Sequence, residues 1–164
     1  MHVRAMTGAE AGVWRTLRLE ALTQYPDAFL TTLAEAQELP QETIAQRLPA
    51  GFTFGVFSGA DCVGIGTLQP HTRAQCRHRA DIVAFFIRPA AHGKGAGDAL
   101  LAGLLDHAET LGCWQTELHV ADDNTHAIAL YERHGFRQVG RIPNSVILEG
   151  RKMNDLIMVR TRAP

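Results

Sequence analysis

The sequence predicts an α/β (α+β) layer: a mixed, mostly antiparallel central sheet flanked by helices. Two observations carry that expectation. Apolar residues switch along the chain between strand-like alternation and 3.6-residue spacing. The central order is strand, glycine-rich loop, helix, strand, helix, strand, with hairpin-like strands ahead of it. The 164 residues carry no internal repeat or low-complexity stretch, and that length suits one domain over 1–164 with its own core.

Residues 2–6 are the first expected strand. Thr7 then opens a helix, with Glu10 three residues on as its reciprocal cap. Val13, Leu17 and Ala21 define its buried side with Trp14 beside them, and Tyr25-Pro26-Asp27 ends it. A short helix follows across 40–48. Residues 53–58 and 62–69 are two strands of a hairpin turning at Gly59-Ala60-Asp61. The run 81–87 is nearly all apolar, as in a strand covered on both faces, and Pro89 stops it. Beyond the glycines, Leu100, Leu101, Leu104, Leu105, Ala108 and Leu111 recur at helical spacing up to Gly112. Residues 116–121 form a strand and 124–134 a helix. Gly135 stops that helix, and Phe136 is placed to fold back onto Leu130 or Tyr131. Strands at 137–142 and 156–161 finish the chain.

Composition narrows the function. A net charge of −1 gives no global field for nucleic acid or an anionic membrane, and Arg73, Arg77 and Arg79 form only a small cluster. There is no apolar run of about 20 residues and no signal-like start, so a soluble cytoplasmic protein is expected. Cys62, Cys76 and Cys113 are odd in number and lack CxxC spacing, which argues against a disulfide framework. Cys76 with His71 and His78 lacks a fourth ligand at a recognisable spacing, so no metal is expected.

The strongest chemical signal is His92-Gly93-Lys94-Gly95-Ala96-Gly97, set between a buried strand and an amphipathic helix. Alternating glycines let a backbone approach a ligand with its amides inward, and the helix adds its positive end. A plain strand-to-helix turn needs only one glycine; three suit a phosphate or pyrophosphate. GxxxxGK[ST] is not matched, because Gly95 follows Lys94, and GxGxxG fails at Asp98.

These residues resemble a known family. Residues 81–140, with FFIRPAAHGKGAGDALLAGLLDHA and NTHAIALYERHGF, look like the core of the GNAT N-acetyltransferases. Gly95 and Gly97 match the signature [QR]-x-x-G-x-[GA]. Asn124, Ala127, Leu130, Tyr131, Glu132, Gly135 and Phe136 match N-x-x-A-x-x-LYE-x-x-GF. LRLEAL and PDAF near the start are also similar to members of the family. Two departures stand out: His92 replaces Gln or Arg beside the phosphates, and Asp98 opens the helix next to them.

The resemblance implies acetyl-CoA as acetyl donor, held by the amides of 92–97, and a primary amine as acceptor. It implies that the main chain of Phe85-Phe86-Ile87 pairs with the pantetheine arm and that Asn124 contacts the coenzyme. By resemblance Tyr131 is the general acid for the departing thiolate; the alternative is a half-buried tyrosine with a satisfied hydroxyl. Asn124 has a structural alternative too, as a helix N-cap. The amine base is open between Asp81, where some relatives carry a glutamate, and His119 on the next strand, with His78 a weaker third. Asp81 has the alternative of pairing with Arg79. No metal or covalent acyl-enzyme is implied, and a homodimer is common for such folds. Two rivals share the fold: use of a longer acyl-CoA, and a sensor that binds coenzyme A without turnover.

Overall fold

A computed structural model describes residues 1–162. They build one seven-stranded sheet in the order β1-β2-β3-β4-β5-β7-β6. The strands are β1 His2–Ala5, β2 Thr53–Ser58, β3 Asp61–Pro70, β4 Arg79–Ile87, β5 Gln115–Ala121, β6 Arg137–Leu148 and β7 Arg151–Thr161. The helices are α1 Ala11–Gln24, α2 Leu33–Glu38, α3 Gln41–Arg47, α4 Ala96–Thr110 and α5 Thr125–Arg133. Every neighbouring pair runs antiparallel except β4 and β5. Parallel neighbours need a crossover, and α4 supplies it. The expected mixed, mostly antiparallel sheet is therefore the one observed.

Two apolar clusters hold the layers. On one face α4 inserts Leu100, Leu101 and Leu104, all fully buried, against Val56, Leu68 and Ile82. Each such leucine contributes about 1.5–3 kcal/mol by leaving water. Leu130, Tyr131 and Phe136 extend the same cluster around α5. On the other face Leu17, Ala21 and Ile44 of α1 and α3 meet Phe57, Ile65 and Phe86. Beyond the end of β4, Arg88 is clamped by Glu20 of α1 through two 2.7 Å hydrogen bonds, fixing α1 over the strand's C-terminal end.

Several local expectations need correction. Val13 is exposed, while Ala11, Leu17, Ala21 and Leu22 are the buried residues of α1. Steps of four residues drift by about 40° around a helix, and Val13 lies past the edge of the buried stripe. Helix α2 was not anticipated, although its start carries a plain signal: Thr32 and Glu35 cap each other, with the Thr32 N–H donating to Glu35 Oε2 at 2.8 Å. The last two strands are longer than expected and join through Glu149 and Gly150, both with positive φ. Pro143-Asn144-Ser145 looks like a break in sequence, but the ladder resumes at Val146 after a bulge. Among the described residues no helix is long and apolar enough to cross a membrane.

Gly64 of β3 marks a close approach. A Cβ there would meet the Ile87 side chain, and would lie 2.7 Å from the Phe86 carbonyl oxygen and 3.0 Å from Val56. The carbonyl belongs to the sheet and has no room to retreat. Gly64→Ala should destabilise the protein by about 1–3 kcal/mol in urea unfolding, the usual cost of overpacking; an unchanged midpoint would show that β3 and β4 lie further apart.

Candidate active site

The site begins where two strands separate. β4 and β5 pair only across Arg79–Gln115, Ala80–Thr116 and Asp81–Glu117. Just beyond, the β3–β4 register slips: Thr67 faces Val83, yet Ile65 faces Phe86. One extra residue has therefore entered β4, and Ala84 takes φ 52° to accommodate it. Such a bulge bends its strand and sharpens the twist. β4 consequently leaves β5, and its edge from Ile82 to Ile87 is free of a strand partner on that side.

A cavity of about 600 Å³ occupies the gap. Val83 to Ile87 form one wall, Ala121, Asn124, Leu130 and Tyr131 the other, and the glycine loop the far end. Gly93 and Gly95 have φ 69° and 79°, and Gly95 caps α4. A Cβ at either would meet no atom, so backbone conformation and not protein crowding calls for glycine. The N–H groups of Ala96 and Gly97 stand in the first turn of α4, where no helical acceptor exists. Together these residues present donors and a positive helix end to an anion.

The side chains of the loop have other work. His92 Nε2 lies 2.9 Å from the Ile87 carbonyl and its ring stacks on His126, tying the loop to the strand end. One ring nitrogen is thus committed to the strand end, while the residue stays exposed and borders the cavity. Lys94 is exposed and lies outside the cavity wall. Asp98 is drawn to α5, with Arg133 at 3.1 Å and His134 at 3.0 Å. Partial burial opposes its ionisation, but these two partners outweigh it and hold the carboxyl below its usual range.

Asn124 caps α5, its Oδ1 accepting from the Ala127 N–H at 3.1 Å, and it also lines the cavity. Tyr131 is buried between Phe85 and Phe136, both met edge-on, yet borders the cavity. Burial pushes its hydroxyl well above the normal phenol range, so the group stays protonated at neutral pH. Of the three β4 residues expected beside a ligand, Phe86 and Ile87 turn into the two opposite cores, and Phe85 is half-buried against Tyr131.

The base candidates separate cleanly. His119 borders both this cavity and a second one of about 1010 Å³ between the strands and α1–α3. Asp81 borders only the second, where His71 Nε2 lies 3.1 Å from it. Register explains the difference. Asp81 pairs with Glu117, so His119 is one strand repeat, about 7 Å, closer to the opening. Arg79 takes Glu117 (Nη2 to Oε2, 2.7 Å) and not Asp81. His78 stacks on Trp114 and borders neither cavity. The two cavities meet at Phe29, Val83, Ala84, His119 and Ala121.

A family model described as the acetyltransferase (GNAT) family matches residues 14–136. The chain belongs to that family. Among curated relatives, a mycothiol acetyltransferase of Salinispora tropica is 32% identical over 130 residues, 79% of this chain and 42% of the relative. One from Renibacterium salmoninarum is 30% identical over 77% of this chain and 37% of its own length. The chain thus spans about two fifths of these relatives. Among solved structures, a GNAT-family acetyltransferase from Streptococcus pneumoniae superposes with TM-score 0.87 at 21% identity, covering 98% of each chain. A chain from Salmonella typhimurium, solved with its cofactor acetyl-CoA, gives TM-score 0.84 at 18% identity, covering 100% of this chain and 97% of that one. At these identities the likeness is one of fold.

In this GNAT chain, sequence reasoning gave no individual role to Trp14, Arg18, Phe29 or Asp155, all of which line the second cavity. Arg18 did leave a signal, a charge four residues after Trp14 on the apolar stripe of α1. Asp155 left none, since it precedes the strand segment that was expected. Among the described residues no cluster of His, Cys, Asp or Glu could hold a metal.

The bulge gives the site its own test. Ala84→Gly should leave stability nearly unchanged, because glycine adopts φ 52° freely. Ala84→Val should destabilise by about 1–3 kcal/mol, since a β-branched residue is strained there. Were β4 straight, valine would be neutral or stabilising.

Proposed function

We propose that this chain is an acetyl-CoA-dependent N-acetyltransferase that moves an acetyl group directly from the thioester to a primary amine. The observation that carries the reading is the parting of β4 from β5 immediately before a cradle of free amides. A pantetheine arm is amide-rich and extended, and the unpaired edge of β4 offers it main-chain partners as an added strand would have. Its pyrophosphate then reaches the amides of Gly93 to Gly97 at the start of α4, with Asn124 on the facing wall. The residues present fit such a donor, which supplies an activated acetyl group.

The remaining roles follow from position. Polarisation of the thioester carbonyl is assigned to a main-chain amide of the bulge at Ala84–Phe85, residues that line the opening. His119, shared by both cavities, takes the amine proton, and Asp81 assists through water from one strand repeat away. Tyr131, kept protonated by burial, gives its proton to the departing thiolate. Residues 1–164 are read as one such domain, working in the cytoplasm, where a reducing compartment suits Cys62, Cys76 and Cys113.

Acetyl-CoA should raise the melting temperature in a concentration-dependent way, since it binds only the folded state. Gly95→Val should abolish that shift and leave the fold intact, because the left-handed backbone at Gly95 is lost. No binding by calorimetry at millimolar acetyl-CoA would sink the reading. Tyr131→Phe should lower turnover at saturating acetyl-CoA by roughly 100-fold, the low end for general acid catalysis, with little change in acetyl-CoA affinity. Unchanged turnover across pH would remove Tyr131 from the mechanism, and binding with no turnover on any amine would favour a sensor.

A further inference from the structure

Helix α1 carries a cation on a face that is otherwise apolar. Trp14 and Arg18 line the second cavity, and Tyr25, further along the helix, lines the first. The Arg18 guanidinium lies over the Phe29 ring at 4.7 Å. Its Nη1 is shielded from solvent and has no hydrogen-bond partner among the described residues, and the same holds for Trp14 Nε1. Both residues line that cavity from one helix face, and each keeps one donor that the described residues leave unsatisfied.

The other arginines of this region show how unusual that is. Arg15 donates to the carbonyls of Leu39 and Gln37, Arg88 is taken by Glu20, and Arg79 by Glu117; Arg47, which also lines the cavity, is exposed to water. No carboxylate approaches Arg18. Glu35 borders the cavity, but its Oε2 accepts from both the Thr32 N–H and hydroxyl, at 2.8 and 2.9 Å, which ties the carboxylate to its own helix start. Burial alone acts on the guanidinium, lowering its pKa, with no acid to offset it. A guanidinium out of water without an anion is costly, and such groups are retained where a ligand completes them.

The cavity also separates its charges. Asp81, Asp155 and His119 project from the strand wall, facing the α1 side that holds Arg18 and Trp14. Phe29, Leu39, Ile44 and Val146 supply an apolar lining. A molecule with an ammonium at one point, a carboxylate at another and an apolar body matches all three features. Phe29 lies against Arg18 and also borders the junction of the two cavities, so the guanidinium is one side chain from the point of transfer. That closeness suits amine and carboxylate on the same carbon.

We propose that the acceptor is an α-amino acid with an apolar side chain, its carboxylate bound by Arg18 and the Trp14 indole N–H. The proposal rests on the acetyl-transfer reading and names that site's substrate. Arg18 is a specificity residue here, with no part in bond making.

Binding can be read without turnover. N-acetyl-L-leucine and its neutral counterpart N-acetyl-L-leucinamide are titrated by calorimetry into the protein saturated with coenzyme A. The acid should bind roughly tenfold or more tightly than the amide, as a charge-assisted pair dictates. Arg18→Met keeps the apolar stem and should bring the two ligands level; Trp14→Phe should narrow the gap by a smaller factor. Should Arg18→Met fail to fold, Arg18→Lys serves, retaining charge but losing the fork and part of the preference. Equal binding of acid and amide, no binding of either at millimolar concentration, or a preference that survives the folded Arg18 variant overturns the proposal. So does tighter binding of N-acetyl-O-phosphoethanolamine, which would make the anion a phosphate. If L-leucine and isoamylamine are acetylated equally well, this proposal fails and acetyl transfer stands. If the acid preference appears but no amine releases thiol from acetyl-CoA, the anion site stands and the transfer reading fails.

Discussion

The site depends on one extra residue in β4. A straight strand would have continued its parallel ladder beyond Asp81 and Glu117, closing the sheet between its two halves. The bulge at Ala84 ends that ladder early and turns main-chain groups toward an opening they would otherwise have spent on β5. Everything the site offers an acyl donor is arranged around that departure. The glycine loop follows β4 directly, and α5 packs so that Tyr131 stands on the facing wall. A single backbone irregularity thus converts a layer of secondary structure into a binding slot, and packing of α4 beneath it keeps the slot from closing.

The second constraint is the placement of α1. Its Glu20 grips Arg88 at the end of β4, and Leu17 and Ala21 seat it on Phe86. The same helix then presents Trp14 and Arg18 to one cavity and Tyr25 to the other. Donor and acceptor spaces are separated by little more than Phe29, Val83 and Ala84. The proposed direct transfer calls for that closeness; none of Cys62, Cys76 and Cys113 borders either cavity, and burial raises the thiol pKa of Cys62 and Cys113.

What the sequence made legible follows period and punctuation. The buried run before Pro89, the leucines of α4 and the Asn124-to-Phe136 segment each carried a strong local signal, and the structure places them as expected, except Leu111, which lies past the helix end and is exposed. The amide cradle was readable because glycine at alternate positions has few other physical reasons. Side-chain direction was not readable. Nothing local says that the His92 ring folds back onto Ile87, or that Arg79 prefers Glu117 across the parallel pair to its own near neighbour Asp81. Those choices are set by strand register, a long-range property. The bulge at Ala84 was equally silent, since alanine gives no warning of positive φ. Arg18 was the opposite case: the pattern contained it, and its meaning appeared only when no partner was found around it.

The long β6 strand forms one border of the sheet and has a bearing on solubility. It exposes Val139 and Ile147 at 64% and 65%, and an uninterrupted apolar border of that length would template another molecule's strand. The bulge between Ile142 and Val146 prevents this. Pro143 has no N–H to donate, the Asn144 N–H is already given to Asn154 Oδ1 at 3.1 Å, and Arg141 is tied to Asp122 at 2.9 Å. What looked in sequence like a broken strand is an interruption of the border at which another sheet's strand would pair.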